Sequence, residues 1–418
     1  MKVYLLGAGA SKSYDESSTG IRMPLARDLF QVFSKLAIHT NPWVLTGAII
    51  NYVSSSRGIP PQDFSDFADD IEELHSEVQN RLIDSIRNSD DLGIIEYGGT
   101  SNQLVFLFAS VINEIQNGPV SKAHLAIAQT LEPEDKVLTF NWDTLMDRAL
   151  AESSEWRPDF GYLVKPRLIH RGGWVALDSQ PAPATTAPAL LKLHGSTNWI
   201  SSYSIVEEGK ISLIQSSDPN RFYVYESADK PYATFAGRYM AGYAPFSYGY
   251  YPPNIPDDPG KKAKDGYVFV RARPKFPWVP EGMAEDKGLV SMPLIIPPVK
   301  EKTYELFGDL FKSIWSAAED AIAEADHIII IGYSFPRTDH RSSTLFARAF
   351  SRRKSMPRVS IIDPSPVRAF DKMRLDLGIA EDRLSAYSEP FSKDFDLPAI
   401  LQPKAHQMSR GPSRDPFD

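Results

Sequence analysis

The sequence predicts a doubly wound α/β fold built on a mostly parallel sheet. Two observations carry that expectation. Short apolar runs bounded by turns, at 2–6, 136–140, 189–193, 327–331 and 358–362, read as strands buried on both faces. Most lead into a small or polar residue and then a helical pattern, the strand–loop–helix rhythm of α/β proteins.

The first run, Val3-Tyr4-Leu5-Leu6, opens directly into Gly7-Ala8-Gly9-Ala10-Ser11. A loop of small residues after a strand fits two readings. It is a tight turn, or it lets backbone N–H groups approach a pyrophosphate closely. An ATP-binding P-loop is disfavoured, because Ser11 rather than glycine precedes Lys12.

Residues 22–131 read mostly as helix. Leu25, Leu29, Phe33 and Leu36 recur at helical spacing after Pro24, which suits a first turn. Ser65 reads as the N-cap of a second helix with the stripe Ile71, Leu74, Val78, Leu82 and Ile86. The third, 103–116, is apolar on nearly every side and should be deeply buried.

Two further strand ends carry polar residues. Asn141 and Asp143 follow the run 136–140 in Thr139-Phe140-Asn141-Trp142-Asp143. Either could cap the next helix, and either could hold a ligand, since α/β sheets bind ligands beyond the carboxyl ends of their strands. His194 and Gly195 follow Leu190-Leu191-Lys192-Leu193. A histidine there is a satisfied structural residue or a general base, and Gly195 leaves its imidazole uncrowded.

From Tyr203 to Met292 helical periodicity disappears and tyrosine, proline and glycine dominate, as in Tyr248-Gly249-Tyr250-Tyr251-Pro252-Pro253. This reads as an insertion of hairpins and loops, either self-packed or a partner contact. The expected organisation is a core of 1–200 and 293–401 carrying the helical module, an aromatic insertion at 201–292 and a flexible tail at 402–418.

Composition narrows the functional classes. The chain has 418 residues, 42% of them hydrophobic, and no run long and apolar enough for a membrane span. Its start meets glycine too soon for a secretory signal, so a cytoplasmic address is expected. Absence of cysteine excludes disulfides, a thiol nucleophile and a cysteine zinc site. The eight histidines show no ligand spacing, so no metal is expected. A net charge of −8 disfavours direct nucleic-acid binding. The basic clusters Lys261, Lys262, Lys264 and Arg352, Arg353, Lys354 read as solvated surface.

Taken in order, the Gly7–Ser11 loop, Thr139–Asp143 and His194-Gly195 resemble the sirtuins, NAD-consuming enzymes with a Rossmann-like fold. The resemblance implies NAD as substrate, His194 as a base toward ribose and Asn141 as the residue positioning the nucleophile, with Asp143 in support. It places Gly332-Tyr333-Ser334 as a further cofactor-binding segment, and Asp363 against adenosine ribose. The pattern Gly332-Tyr333-Ser334-Phe335-Pro336 with Asp339 is similar to bacterial sirtuin-like domains of antiphage defence. Those domains hydrolyse NAD to nicotinamide and ADP-ribose, and many act as oligomers with a separate ATPase or nucleic-acid-handling partner. The chain departs from protein-deacylating sirtuins in lacking their zinc-ribbon cysteines and in its longer stretch from Ser13 to Gly20. A non-catalytic NAD or ADP-ribose sensor, or a scaffold subunit, remains the competing expectation.

Overall fold

In the computed structural model, the described residues are 1–25, 27–36, 43–67, 70–171, 173–177, 187–202, 204–206, 222–226, 255–256, 267–269, 291–296, 309–336 and 340–401. The Tyr/Pro-rich run 248–253, Lys261, Lys262, Lys264, Asp339 and the tail 402–418 lie outside them.

Thirteen strands are formed among the described residues: β1 (Lys2–Leu6), β2 (Lys136–Thr139), β3 (Leu168–Arg171), β4 (Trp174–Ala176), β5 (Ala189–Lys192), β6 (Gly195–Ser202), β7 (Ser204–Val206), β8 (Tyr223–Glu226), β9 (Tyr267–Phe269), β10 (Ser291–Ile295), β11 (His327–Ile331), β12 (Arg358–Ile362) and β13 (Leu384–Tyr387). Six make one parallel sheet in the order β13-β12-β11-β1-β2-β5. The fold is therefore doubly wound and Rossmann-like, as the apolar runs predict. All five expected strands are present, and β13 is an additional edge strand. Its burial alternates rather than running continuously, so it does not stand out in sequence.

The chain leaves β1 toward β2 and β5 on one side, then returns to add β11, β12 and β13 on the other. Loops from β1 and β11 consequently run in opposite directions, and a crevice opens at the carboxyl ends between them. Two helices after the central strands, α6 (Lys122–Ala128) and α7 (Leu145–Ser153), pack together, as do α8 (Asp309–Glu324) and α9 (His340–Ser351). Within the sheet, Val3–Leu6, Val137, Leu138, Leu190, Leu191 and the four isoleucines of β11 are all buried.

A second sheet, β10-β6-β8-β3-β4, is mainly antiparallel. It was not evident as a sheet in the sequence, because its strands come from segments far apart in the chain. Its Trp199, Val224 and Ile169 join the main core beside Trp156, Tyr162 and Phe311. β6 and β10 flank most of the expected insertion and pair antiparallel, with Ser201 opposite Met292. Only short strands are described between them.

The helical segment holds α2 (Leu29–Lys35), α3 (Trp43–Arg57), α4 (Ile71–Asn88) and α5 (Asp91–Gln116). Two boundaries differ from expectation. The first helix starts at Leu29, leaving Pro24 and Leu25 in a preceding strap whose Leu25 N–H donates to the Asp28 carboxylate. The second is capped by Asp70, which accepts from Glu72 N at 2.9 Å, whereas Ser65 lies in a 3₁₀ turn, Pro61–Asp66. A carboxylate at the N-cap also complements the helix dipole, which the sequence reading overlooked. Ile71, Leu74, Val78 and Leu82 are buried as predicted, and so are Leu104–Val105 and Leu107–Val111 of α5. This second core reaches Leu145, Met292 and Ile295, docking the helices over the carboxyl ends of the strands.

Of the basic cluster at 352–354, Arg352 pairs with Glu319 and Asp320, and Arg353 donates to the last carbonyls of α8 at Ile322 and Ala323. Both arginines are thereby used in holding α8.

Candidate functional site

Where the loops of β1, β2, β5 and β11 meet the helical segment, a cavity of about 430 Å³ opens. That size is within the range for small-molecule sites. Gly7, Ala8, Ser11, Asn141, Asp143, His194, Gly332, Tyr333 and Ser334 all line it. Sheet topology thus brings together residues from four separate stretches of sequence. The opposite wall is apolar, from Met23, Leu29, Ile71, Phe108, Ile112 and Trp142, with Arg27, Asp70 and Glu72 among the lining residues. The sequence reading missed this wall, because nothing in a helical stripe says which other element it covers.

Four expected residues do not line the cavity: Gly9, Ala10, Gly195 and Asp363. Each has a structural role instead. A Cβ on Gly9 would sit 2.7 Å from the Gly332 Cα, and one on Gly7 would sit 2.5 Å from the Gly332 carbonyl oxygen. Gly332 has φ +61°, and a Cβ there would fall 2.4 Å from Ala10 N. The three glycines therefore let the β1 and β11 loops touch. Gly7 N donates to Ile331 O and Gly9 N to Gly332 O, both at 3.0 Å, while Ala10 N turns back to Gly7 O. Those N–H groups are used inside the protein, so the loop offers an anion fewer donors than its glycines suggest. Ala8 and Ser11 are the loop residues besides Gly7 that line the cavity.

Gly195 has φ +77° and leaves no room for a Cβ against the Leu294 carbonyl. It starts β6 immediately after His194 and lets β10 approach. Asp363 ends β12, and its Oδ1 accepts from Ser365 N at 2.8 Å, closing a local turn.

Side chains build the other half of the site. The Asn141 amide Nδ2 donates to Gly7 O and to Ser11 Oγ, both at 2.7 Å. Ser11 Oγ in turn donates to Asp143 Oδ2 at 2.5 Å. Asp143 Oδ1 accepts from Leu145 N at 3.0 Å, so the carboxylate serves as both cap and network member. With Nδ2 occupied, the Asn141 Oδ1 is left as an acceptor.

His194 is 5% exposed and packs against Phe140, ring centroids 5.0 Å apart. Phe140 stacks on Tyr333 at 4.6 Å, and Trp315 lies 6.3 Å from the imidazole. Trp315 also donates from Nε1 to Leu193 O. An aromatic cage of this kind fixes the ring and excludes water around it.

The backbone of the 141–144 loop is held from every side. Asn141 N donates to Thr139 Oγ1, and Trp142 O accepts from Thr197 N and Ser196 Oγ. Asp143 O accepts from Lys192 Nζ, and Thr144 N donates to Gln116 Oε1 at 2.7 Å. None of Lys192, Ser196, Thr197 or Gln116 was singled out from the sequence. A lysine within an otherwise apolar strand was the one available signal.

Among the described residues no three His, Asp or Glu side chains group as a metal-holding cluster, and no helix is long and apolar enough to cross a membrane.

No family model matches the sequence, and no curated protein does so. Solved structures similar to the chain include a Sir2 homologue mutant in complex with ADP-ribose, at 14% identity over 87% of this chain and 80% of that one, TM-score 0.31. They also include Sir2 bound to an acetylated peptide, at 12% identity over 94% and 88%, TM-score 0.32. A Sir2 complex with a p53 peptide and NAD+ matches at 12% identity over 94% and 88%, TM-score 0.31.

Proposed function

We propose that the protein binds NAD+ and hydrolyses its nicotinamide–ribose bond, giving nicotinamide and ADP-ribose. The observation that carries this reading is the convergence of Asn141, Asp143 and His194 with the Gly7 and Gly332 loops on one cavity. Those residues belong to the segments that resemble the sirtuins. A sensor has no need of a base and a nucleophile-holding amide in the same cavity.

Heterolysis sends the bond's electron pair to the nicotinamide nitrogen and leaves an oxocarbenium-like ribose. A water held by the Asn141 Oδ1 adds to the anomeric carbon, and His194 accepts the proton. The Asn141–Ser11–Asp143 hydrogen bonds hold the amide's orientation, so the acceptor is set before substrate arrives. The aromatic packing around His194 and the apolar helical wall exclude bulk water. NAD depletion in bacterial antiphage defence, by a cytoplasmic oligomer working with a separate partner protein, is the setting suggested by the Gly332–Pro336 resemblance.

Incubation of the purified protein with NAD+ and chromatography for nicotinamide and ADP-ribose tests the reading. His194→Ala should lower turnover by about 10²–10⁴-fold while the folded protein still binds NAD+. Hydrolysis at the wild-type rate by a folded His194→Ala would refute the mechanism. A wild type that binds NAD+ without releasing nicotinamide would favour the sensor.

A further inference from the structure

Beneath the 141–144 loop lies a charged pair that the proposed chemistry does not use. Lys192 is 1% exposed and Asp147 fully buried, with Nζ and Oδ2 3.1 Å apart. Lys192 precedes His194 by two residues on β5, while Asp147 lies in the first turn of α7. Tyr162 OH donates to the other Asp147 oxygen and accepts from Asn198 Nδ2 at 3.3 Å. The Lys192 ammonium also donates to the backbone carbonyl of Asp143, the residue whose side chain ties Ser11 to Asn141.

A buried ion pair is a poor stabiliser, since an apolar pair of similar volume commonly serves the fold as well or better. Its use here is geometric. The carbonyl oxygen of a buried residue such as Asp143 has to find a donor, and an apolar residue at 192 would remove the one it has. From this we infer that Lys192 is a positioning residue for the Asn141–Asp143 loop, with Asp147 holding its ammonium in place. It touches neither the reacting atoms nor the cavity, and acts by fixing Asp143 and, through Ser11, the amide of Asn141. The effect on turnover rests on the NAD+ hydrolase reading, whereas the effect on the loop does not.

Two variants with the same charge separate this role from simple stabilisation. Lys192→Gln/Asp147→Asn keeps an N–H donor at position 192, and Lys192→Met/Asp147→Asn lacks it. Hydrogen exchange of the 140–146 backbone is measured by mass spectrometry, with β11 amides as internal reference. The methionine variant should exchange in the loop about 10-fold faster than the glutamine variant, the factor expected for one lost hydrogen bond, with β11 unchanged. With NAD+, kcat should fall about 10-fold in the methionine variant relative to the glutamine variant, and KM by less than about 3-fold. Equal loop exchange in the two variants overturns the inference, as does a methionine variant in which the whole sheet loosens together. If the wild type does not hydrolyse NAD+, the functional reading fails while the exchange comparison still decides the role of Lys192. If the methionine variant does not fold while the glutamine variant does, the donor is required for the fold as a whole, and the positioning role is overturned.

Discussion

The cavity has two halves built on opposite principles. On the β1–β11 side the surface exists because side chains are missing, and Gly7, Gly9 and Gly332 bring two backbones within direct contact. On the β2–β5 side it exists because side chains are present and bonded to one another, from Asn141 through Ser11 to Asp143. The first half fails by addition of atoms and the second by their removal. An alanine scan reaches both, since alanine adds a Cβ to the glycines and trims the polar side chains.

The largest expected effect is on the glycine side. Gly332→Ala forces a Cβ at positive φ into Ala10 N and Gly9, and should destabilise the protein by about 3 kcal/mol or more in denaturant titration. A loss under about 1 kcal/mol would show that the two loops separate easily and would break the comparison.

Acidification probes the layer below the side-chain half. Burial holds the His124 imidazole neutral, down to about 4 from its ordinary 6.5. In the unfolded chain the histidine takes up a proton below about 6.5, while the folded protein does not. Stability is therefore complete above that value and declines as pH falls toward the folded pKa. His124 should contribute about 2 kcal/mol of this loss by about pH 5, at 1.36 kcal/mol per pK unit. His124→Gln should flatten the stability–pH curve by that amount. His327 and His75, lowered to about 4 and about 3 by burial, add the same sign and remain in the variant.

A smaller loss is expected for Ser11→Ala, which strips one partner each from Asn141 and Asp143. Thermal melting should report about 1–2 kcal/mol, and NAD+ turnover should fall further than melting explains. Turnover unchanged in that variant would mean the asparagine keeps its orientation through Gly7 O alone. Smallest of all is Asp363→Ala. Its only described side-chain bond closes an exposed turn, so stability should move by less than about 0.5 kcal/mol. Calorimetry with NAD+ sharpens the point, since a weakened affinity there would bring Asp363 to the ligand despite its place outside the cavity lining.

How much of this was legible beforehand follows from which interactions are local. Continuous apolar runs predict the five inner strands, because burial on both faces leaves a mark in each strand separately. Asn141, Asp143 and His194 stood out as polar residues at the ends of such runs, and the topology did place them on one cavity. The glycines stood out as loop residues, and the structure adds that they let the β1 and β11 loops touch. A glycine needed for contact between two loops looks the same in sequence as one needed for a phosphate. Gln116, Ser196 and Thr197 act through partners up to 81 residues away, and no spacing rule reaches that far. Likewise Ser65 and Asp70 are both acceptable N-caps, and packing of the aromatic Phe64 and Phe67 against Phe30 decides between them.

The central position of β1 has a consequence for how the chain is made. Its neighbour β11 is synthesised more than three hundred residues later, with Lys2 opposite His327 and Leu6 opposite Ile331. Until then, one edge of a strongly apolar strand has no partner. Closing so large a loop is entropically costly, and parallel pairings of this separation slow folding. The nascent protein thus passes through a long interval in which Val3–Leu6 can add to any exposed strand edge, its own or another molecule's. Yield of native protein should consequently depend on chaperone supply and on translation temperature more than the stability of the finished sheet would suggest.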